Sequence, residues 1–287
     1  MFKNLSTGSI GIRGTSLADT IALARATGFR GIDFSIREAA NLAQERGVGF
    51  VRALFAAADV LPGQWSLPVA WNKDDQWQAD LAALPQLAYL GRQLGCTRTS
   101  TWIMPGSDER AYAANWEWHV QRFRPIARAL SDEGCSLGIE FVGPKTLRDR
   151  FAHPFVYTLG GMMDFARALG TGNVGLLLDA FHLFVSGGSV ADMGRLQASD
   201  VVTVHVNDAV EGVPLDQQLD NVRRLPTESG VLPLAGFMGK LRSLGYDGPV
   251  TPEPFSARVN ALSDPLAAAG LVAEYMDRLW KVGGLDA

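Results

Sequence analysis

Residues 173–181, NVGLLLDAF, and residues 201–208, VVTVHVND, decide the fold. Each is a short apolar run that stops at a polar group. Continuous apolar runs of this length mark strands covered on both faces, as in parallel sheets. Working outward, the same beat of strand and helix recurs. Upstream, SLGIEFVG (136–143) reads as a strand and VYTLGGMMDFARALG (156–170) as a helix. Downstream come a short helix at ADMGRLQ (191–197) and a helix at PLAGFMGKLRSLG (233–245), closed by Gly245. PVTPEPF (249–255) is then a short strand and DPLAAAGLVAEYMDRLWKVG (264–283) a last helix.

The first half keeps the beat. FKNLSTGSIGI (2–12) is a short apolar segment, and Ser16 with Asp19 caps the helix SLADTIALARATG (16–28). FRGIDFSI (29–36) is a strand, and Glu38 to about Val60 reads as one helix with Gly47 and Gly49 as weak points. QWSLPVAW (64–71) is extended, and DDQWQADLAALPQLAYLGRQLG (74–95) is helical despite Pro85. TRTSTWIMPG (97–106) is a strand with a Pro-Gly stop, and ANWEWHVQRFRPIARALSDEG (114–134) a helix.

Eight strand-then-helix units in 287 residues come to about 36 residues each, close to what a (β/α)8 barrel needs. The expected fold is therefore α/β, a single barrel domain over residues 1–287. An open doubly wound sheet is the alternative, but no Gly-x-Gly-x-x-Gly follows the first strand and no Walker-type loop occurs. The chain is 47% hydrophobic, which excludes a disordered coil, and its two cysteines exclude a disulfide scaffold. Cys96 and Cys135 fall just before strands and read as small buried hydrophobes. A net charge of −4 gives no basic footprint for nucleic acid. No secretory leader and no apolar run of about 18 residues is seen, so the expectation is a cytoplasmic protein with no membrane partner.

Four polar residues end four consecutive apolar strands: Glu140, Asp179, His205 and Glu253. A parallel barrel gathers the C-terminal ends of its strands around one mouth. Singly, each would be a helix cap or a satisfied core residue. Together, three carboxylates and an imidazole buried without a cation would repel one another and lose solvation. One divalent cation removes that conflict. An oxygen-rich set with one nitrogen suits Mn²⁺ foremost, then Co²⁺ or Mg²⁺, with Zn²⁺ as an alternative.

The runs LLLDAFH (176–182), VHVND (204–208) and TPEPF (251–255), preceded by IEFVGPKTLR (139–148), resemble the xylose-isomerase-like superfamily of sugar isomerases and epimerases, of which endonuclease IV is a distant branch. The resemblance implies a TIM barrel whose metal ligands are Glu140, Asp179, His205 and Glu253. It also implies proton transfer by Glu140 and Glu253, and a substrate contact from His182, three residues after Asp179. The activity so implied is a metal-dependent isomerase or epimerase of an unphosphorylated sugar or keto-sugar, moving a proton beside a carbonyl through a metal-stabilised enediolate. A lyase of the same superfamily, dehydrating a keto-inositol or eliminating from a 3-keto-glycoside, would use the same site. DNA repair is disfavoured by four histidines in total and an acidic pI near 5.6, and a non-catalytic subunit by the presence of all four ligands.

Further substrate contacts are expected from Lys145 and Arg148 in the loop after Glu140, from His153 on the same loop, from Trp102 on the fourth strand, and from Arg223 in the long loop spanning 207–230. The alternative for Lys145 is an ion pair within its own solvated loop. Asp208 reads better as a turn cap than as a ligand, and His119, between Trp116 and Trp118, as packing. A homo-oligomer is expected on general grounds.

Overall fold

The computed structural model describes residues 1–285. Eight parallel strands close into a barrel: β1 (Phe2–Leu5), β2 (Gly31–Phe34), β3 (Leu61–Ser66), β4 (Arg98–Ile103), β5 (Ser136–Phe141), β6 (Val174–Asp179), β7 (Val201–Val206) and β8 (Pro249–Pro252). Each strand pairs with its neighbours in chain order, and β1 pairs with β8 to complete the ring. The helices α1 (Leu17–Ala26), α2 (Ile36–Arg46), α3 (Val48–Ala58), α4 (Trp77–Gln93), α5 (Tyr112–Asp132), α6 (Leu159–Leu169), α7 (Ala180–Val185), α8 (Leu234–Leu244) and α9 (Pro265–Val282) occupy the crossovers. Among the described residues no helix is long and apolar enough to cross a membrane.

Local rules place most of these elements. Ser16 caps α1 by accepting the Asp19 amide, and Ser35, Thr158 and Asp264 cap α2, α6 and α9 in the same way. Three elements differ from their sequence pattern. The helix expected over 38–60 is two, broken at Gly47, whose φ of +84° a residue with a Cβ rarely adopts. The third strand stops at Ser66, and the segment to Trp71 is loop. ADMGRLQ forms a 3-10 turn over Asp192–Arg195, too short to complete an α-helix.

Helix and strand faces enclose one apolar layer between barrel and helices, with Phe123, Phe165, Leu176, Phe237 and Met276 fully buried. Trp65 belongs to this layer, donating Nε1–H to the Cys96 carbonyl at 3.2 Å, so it does not reach the mouth. Trp71 also turns away, into a cluster with Trp118, His119 and Phe123. Both cysteines are free and buried.

Gly175, at the base of β6, packs directly against the backbone preceding β7. A Cβ there would press into the Asp200 carbonyl oxygen, and backbone cannot swing aside as a side-chain tip can. Gly175→Ala is expected to destabilise the protein by about 1–3 kcal/mol, the usual cost of overpacking. Denaturant unfolding measures it, and an unchanged midpoint would refute the tight approach.

Candidate metal centre

The inward positions at the ends of β5, β6, β7 and β8 are Glu140, Asp179, His205 and Glu253. One donor atom from each lies within 4.8 Å of all the others, with Glu253 half-buried and the rest buried. Strand alternation turns each of them into the barrel. Asp179 also begins α7, its Oδ1 accepting the amides of Phe181 at 2.6 Å and His182 at 3.4 Å.

Several donor atoms in this group lack a protein partner. Glu140 Oε1 and both ring nitrogens of His205 are buried and make no hydrogen bond among the described residues. His205 Nδ1 lies 3.7 Å from Glu140 Oε1 and 3.5 Å from Glu253 Oε1. Buried polar atoms are almost always satisfied, so orphans converging on one point fit a bound cation. The donor set therefore fits a divalent metal, and no other such group occurs among the described residues.

The charges are strongly interlocked. Burial pushes Glu140 well above the ordinary carboxyl range, and the charge of Glu253 adds to the push. For His205 burial works against protonation, but Glu253, Glu140 and Asp179 outweigh it and raise the imidazole to about 10. Asp179 is opposed by burial too, yet Arg223 holds it down to about 2. A site that draws a proton onto His205 so firmly is a site short of positive charge.

Arg223 supplies part of that charge. Its side chain is 1% exposed, and one Nη1 donates to Asp179 Oδ2 at 2.8 Å and to Glu253 Oε2 at 2.9 Å. Nη2 donates to Asp220 Oδ1 at 2.9 Å, and the guanidinium lies between the rings of Phe181 and Phe255. These contacts use the outer carboxylate oxygens and leave Glu253 Oε1 facing His205. Asn207 Nδ2 adds a further 3.3 Å contact to Asp179.

His182 is held from both sides of its ring. Nδ1 lies 3.2 Å from the Gly143 amide and Nε2 lies 3.1 Å from Arg223 Nη2, two donors that each face a ring nitrogen. Burial keeps the ring neutral by lowering its pKa. Nε2 faces Glu140 Oε1 at 4.0 Å and Asp220 Oδ1 at 3.7 Å. A Cβ on Gly143 would strike the His182 carbonyl, which is why glycine stands there.

A cavity of about 270 Å³ opens above these groups, its wall completed by Trp102, Met104, Leu147 and Phe255. Trp102, His182 and Arg223 reach it, as do Glu140 and Glu253. Lys145, Arg148 and His153 do not line it, contrary to expectation. Lys145 pairs with Asp149 one helical turn on, in solvent. Arg148 stacks its guanidinium 3.8 Å over the Tyr157 ring. His153 is drawn into a two-residue antiparallel ribbon with Ser107, outside the barrel. His119 is packing, buried among aromatic rings, with desolvation lowering its pKa to about 4. Sequence reading missed Asn207 and Asp220. Asn207 carried a signal, since it stands two residues after His205 at the end of the same strand. Asp220 carried none.

The xylose isomerase-like TIM barrel family model matches residues 18–279, and the chain belongs to that family. An inosose isomerase of Halalkalibacterium halodurans is 30% identical over 132 residues, which is 45% of this chain and 43% of that relative. A D-psicose 3-epimerase of Ruminiclostridium cellulolyticum is 26% identical over 141 residues, 49% of this chain and 42% of that relative. Each match thus spans less than half of the curated relative. The structure of a xylose isomerase domain protein from Alicyclobacillus acidocaldarius superposes with a TM-score of 0.87 at 29% identity, covering 99% of both chains.

Asp208 anchors the loop that delivers Arg223. It is fully buried, and its carboxylate accepts the amides of Ala209, Ser229, Gly230 and Leu232. Its backbone also bridges to Arg224. Asp208→Ala strips the partner from those four amides, each costing about 1–3 kcal/mol if it stays dry. The expected result is faster amide exchange across 209–232 and a net stability loss of about 2–4 kcal/mol, since water re-solvates some of the amides. Unaltered exchange in that loop would show that the carboxylate is not its anchor.

Proposed function

We propose that this protein is a divalent-metal-dependent isomerase or epimerase acting on an unphosphorylated sugar or keto-sugar. The observation that carries the reading is the convergence of Glu140, Asp179, His205 and Glu253, with unsatisfied donor atoms among them, beside a cavity that Glu140 and Glu253 line. The names of the curated relatives, an inosose isomerase and a D-psicose 3-epimerase, point to the same class of chemistry.

Glu140, Asp179, His205 and Glu253 would hold the ion, with Mn²⁺ favoured by the oxygen-rich donor set. Bound there, a divalent cation would supply Lewis-acid polarisation of a carbonyl, which acidifies the neighbouring C–H. The residues of the chain do the rest. Glu140 and Glu253 stand on β5 and β8, at the two ends of the ligand arc, so a carbon between them is flanked by two carboxyl groups. One removes the proton and the other returns it, to the same carbon for epimerisation or to the adjacent carbon for isomerisation. His182 and Arg223 reach the same cavity, and the fixed guanidinium charge favours the oxygen that gains charge as the proton leaves. Phe255, Leu147 and Trp102 keep the upper wall apolar, which limits water near the reacting carbon.

Two measurements test this. Mn²⁺ at 100 times its Kd should stabilise the wild-type chain by about 2.7 kcal/mol, and Asp179→Asn should abolish most of that gain. A melting temperature indifferent to Mn²⁺, Co²⁺, Mg²⁺ and Zn²⁺ alike would end the metal assignment.

Glu140→Gln and Glu253→Gln should each lower turnover by at least about 100-fold while the protein stays folded. Incubation of ketoses and keto-glycosides in D₂O, followed by NMR, reads the outcome. Deuterium on carbon with an unchanged formula supports isomerisation or epimerisation. An enone or a released aglycone replaces it with a lyase, and near-normal rates in both variants reject the role of the glutamates.

A further inference from the structure

The strands of the barrel's other half carry a second interior layer. Asn4 on β1 donates Nδ2–H to Asp33 Oδ1 on β2 at 2.6 Å, and Gln64 Nε2 on β3 donates to Asp33 Oδ2 at 2.9 Å. Ser100 on β4 donates to Gln64 Oε1 at 2.6 Å. These side chains face the barrel interior, and two residues further on, at or just past the strand ends, stand Ser6, Ser35 (the α2 cap), Ser66 and Trp102. The same step from Gly138, Leu177, Thr203 and Thr251 arrives at Glu140, Asp179, His205 and Glu253. The mouth is thus ringed by one residue per strand: three serines over β1–β3, a tryptophan on β4, and the four ion-binding candidates on β5–β8.

The serine arc lines its own cleft of about 390 Å³, together with Thr7, Asp33 and Arg37. This cleft is tied to the strand that carries Glu253. Ser9 Oγ donates to the Pro252 carbonyl at 2.9 Å, and Asn4 Nδ2 to Thr251 Oγ1 at 2.9 Å. Its charge is balanced against anions. Arg37 is already paired with Asp80 Oδ1 at 2.6 Å and with the Pro68 carbonyl at 2.7 Å, while Asp33 adds an acidic group to the wall. The hydroxyls share the wall with apolar groups of Phe34, Ile36, Leu67 and Pro68. A mixed wall of this kind without an unpaired cation suits a neutral polyhydroxylated group rather than a phosphate or carboxylate.

We propose that the serine cleft binds a second sugar unit of the substrate, so that the natural ligand is a ketose or keto-sugar bearing a neutral glycosyl group. The inference rests on the isomerase or epimerase reading of the four-residue site. The ketone end lies over β5–β8 and the glycosyl end over Ser6, Ser35 and Ser66. Trp102, 46% exposed on the strand between the two arcs, offers its face to the apolar side of the linked rings.

The test is a binding ratio. The full chain, loaded with diamagnetic Mg²⁺, is titrated by NMR with fructose and with glucosyl-fructoses linked through O3, O4, O5 or O6. At least one glucosyl ketose should bind tenfold or more tightly than fructose. Ser66→Phe and, independently, Thr7→Phe should each bring that ratio close to one, with circular dichroism confirming the fold. A wild-type ratio near one for all four linkages overturns the proposal. So does a ratio that neither folded variant moves, or an aryl glycoside that binds best and ignores Ser66→Phe, which would put the second group against Trp102 instead. Failure of the underlying enzyme reading shows separately, as no solvent deuterium entering any ketose, and leaves the binding ratio to be judged by itself.

Discussion

The mouth of this barrel is organised by the repulsion among three carboxylates brought together out of water, two buried and one half-buried. Glu140, Asp179 and Glu253 each lose solvation there; burial and the charge of Glu253 push Glu140 toward protonation, while Arg223 and His205 hold Asp179 and Glu253 ionised. Taking such ions from water costs roughly several kcal/mol apiece unless the geometry compensates. Positive charge and hydrogen-bond donors come from the His205 ring, the Arg223 guanidinium, the Asn207 amide and the first turn of α7. The compensation stays incomplete, since Glu140 Oε1 and the His205 nitrogens have no partner. That remainder is what a divalent cation fits.

The loop of residues 209–232 is part of the same balance. Asp208 holds its two ends through four backbone amides, and Arg223 carries its middle to the centre of the site. One acidic residue therefore builds the loop that delivers the one arginine. Phe255, at a φ of +39°, accepts an unfavourable backbone region for a large side chain and covers the guanidinium from above. Strain of this kind persists only where surrounding contacts enforce it, and here they lie against the cavity.

The barrel was legible because strand and helix differ in local period, and each of the eight units repeats both. Glu140, Asp179, His205 and Glu253 were legible for a related reason: a charged residue closing an apolar run is conspicuous, and strand direction assigns it to the mouth. Lys145, Arg148 and His153 lie off the cavity, and strand alternation says nothing about where residues beyond a strand end point. Their charges find partners in Asp149, Tyr157 and the ribbon beside Ser107, none of which the strand pattern specifies. The break at Gly47 is a middle case, visible as a weak point but settled only by its positive φ.

By itself, then, the sequence determined the number of units, the parallel ring and the four residues that face its centre, because alternation along a strand is a covalent property of the chain. Tertiary structure alone decided that Arg223 bridges Asp179 and Glu253, that His182 sits between the Gly143 amide and Arg223, and that Trp65 and Trp71 turn outward while Trp102 meets the cavity. Those outcomes depend on which groups meet across strands and loops far apart in the chain. Burial then sets their charge and direction, and burial belongs to the closed barrel as a whole.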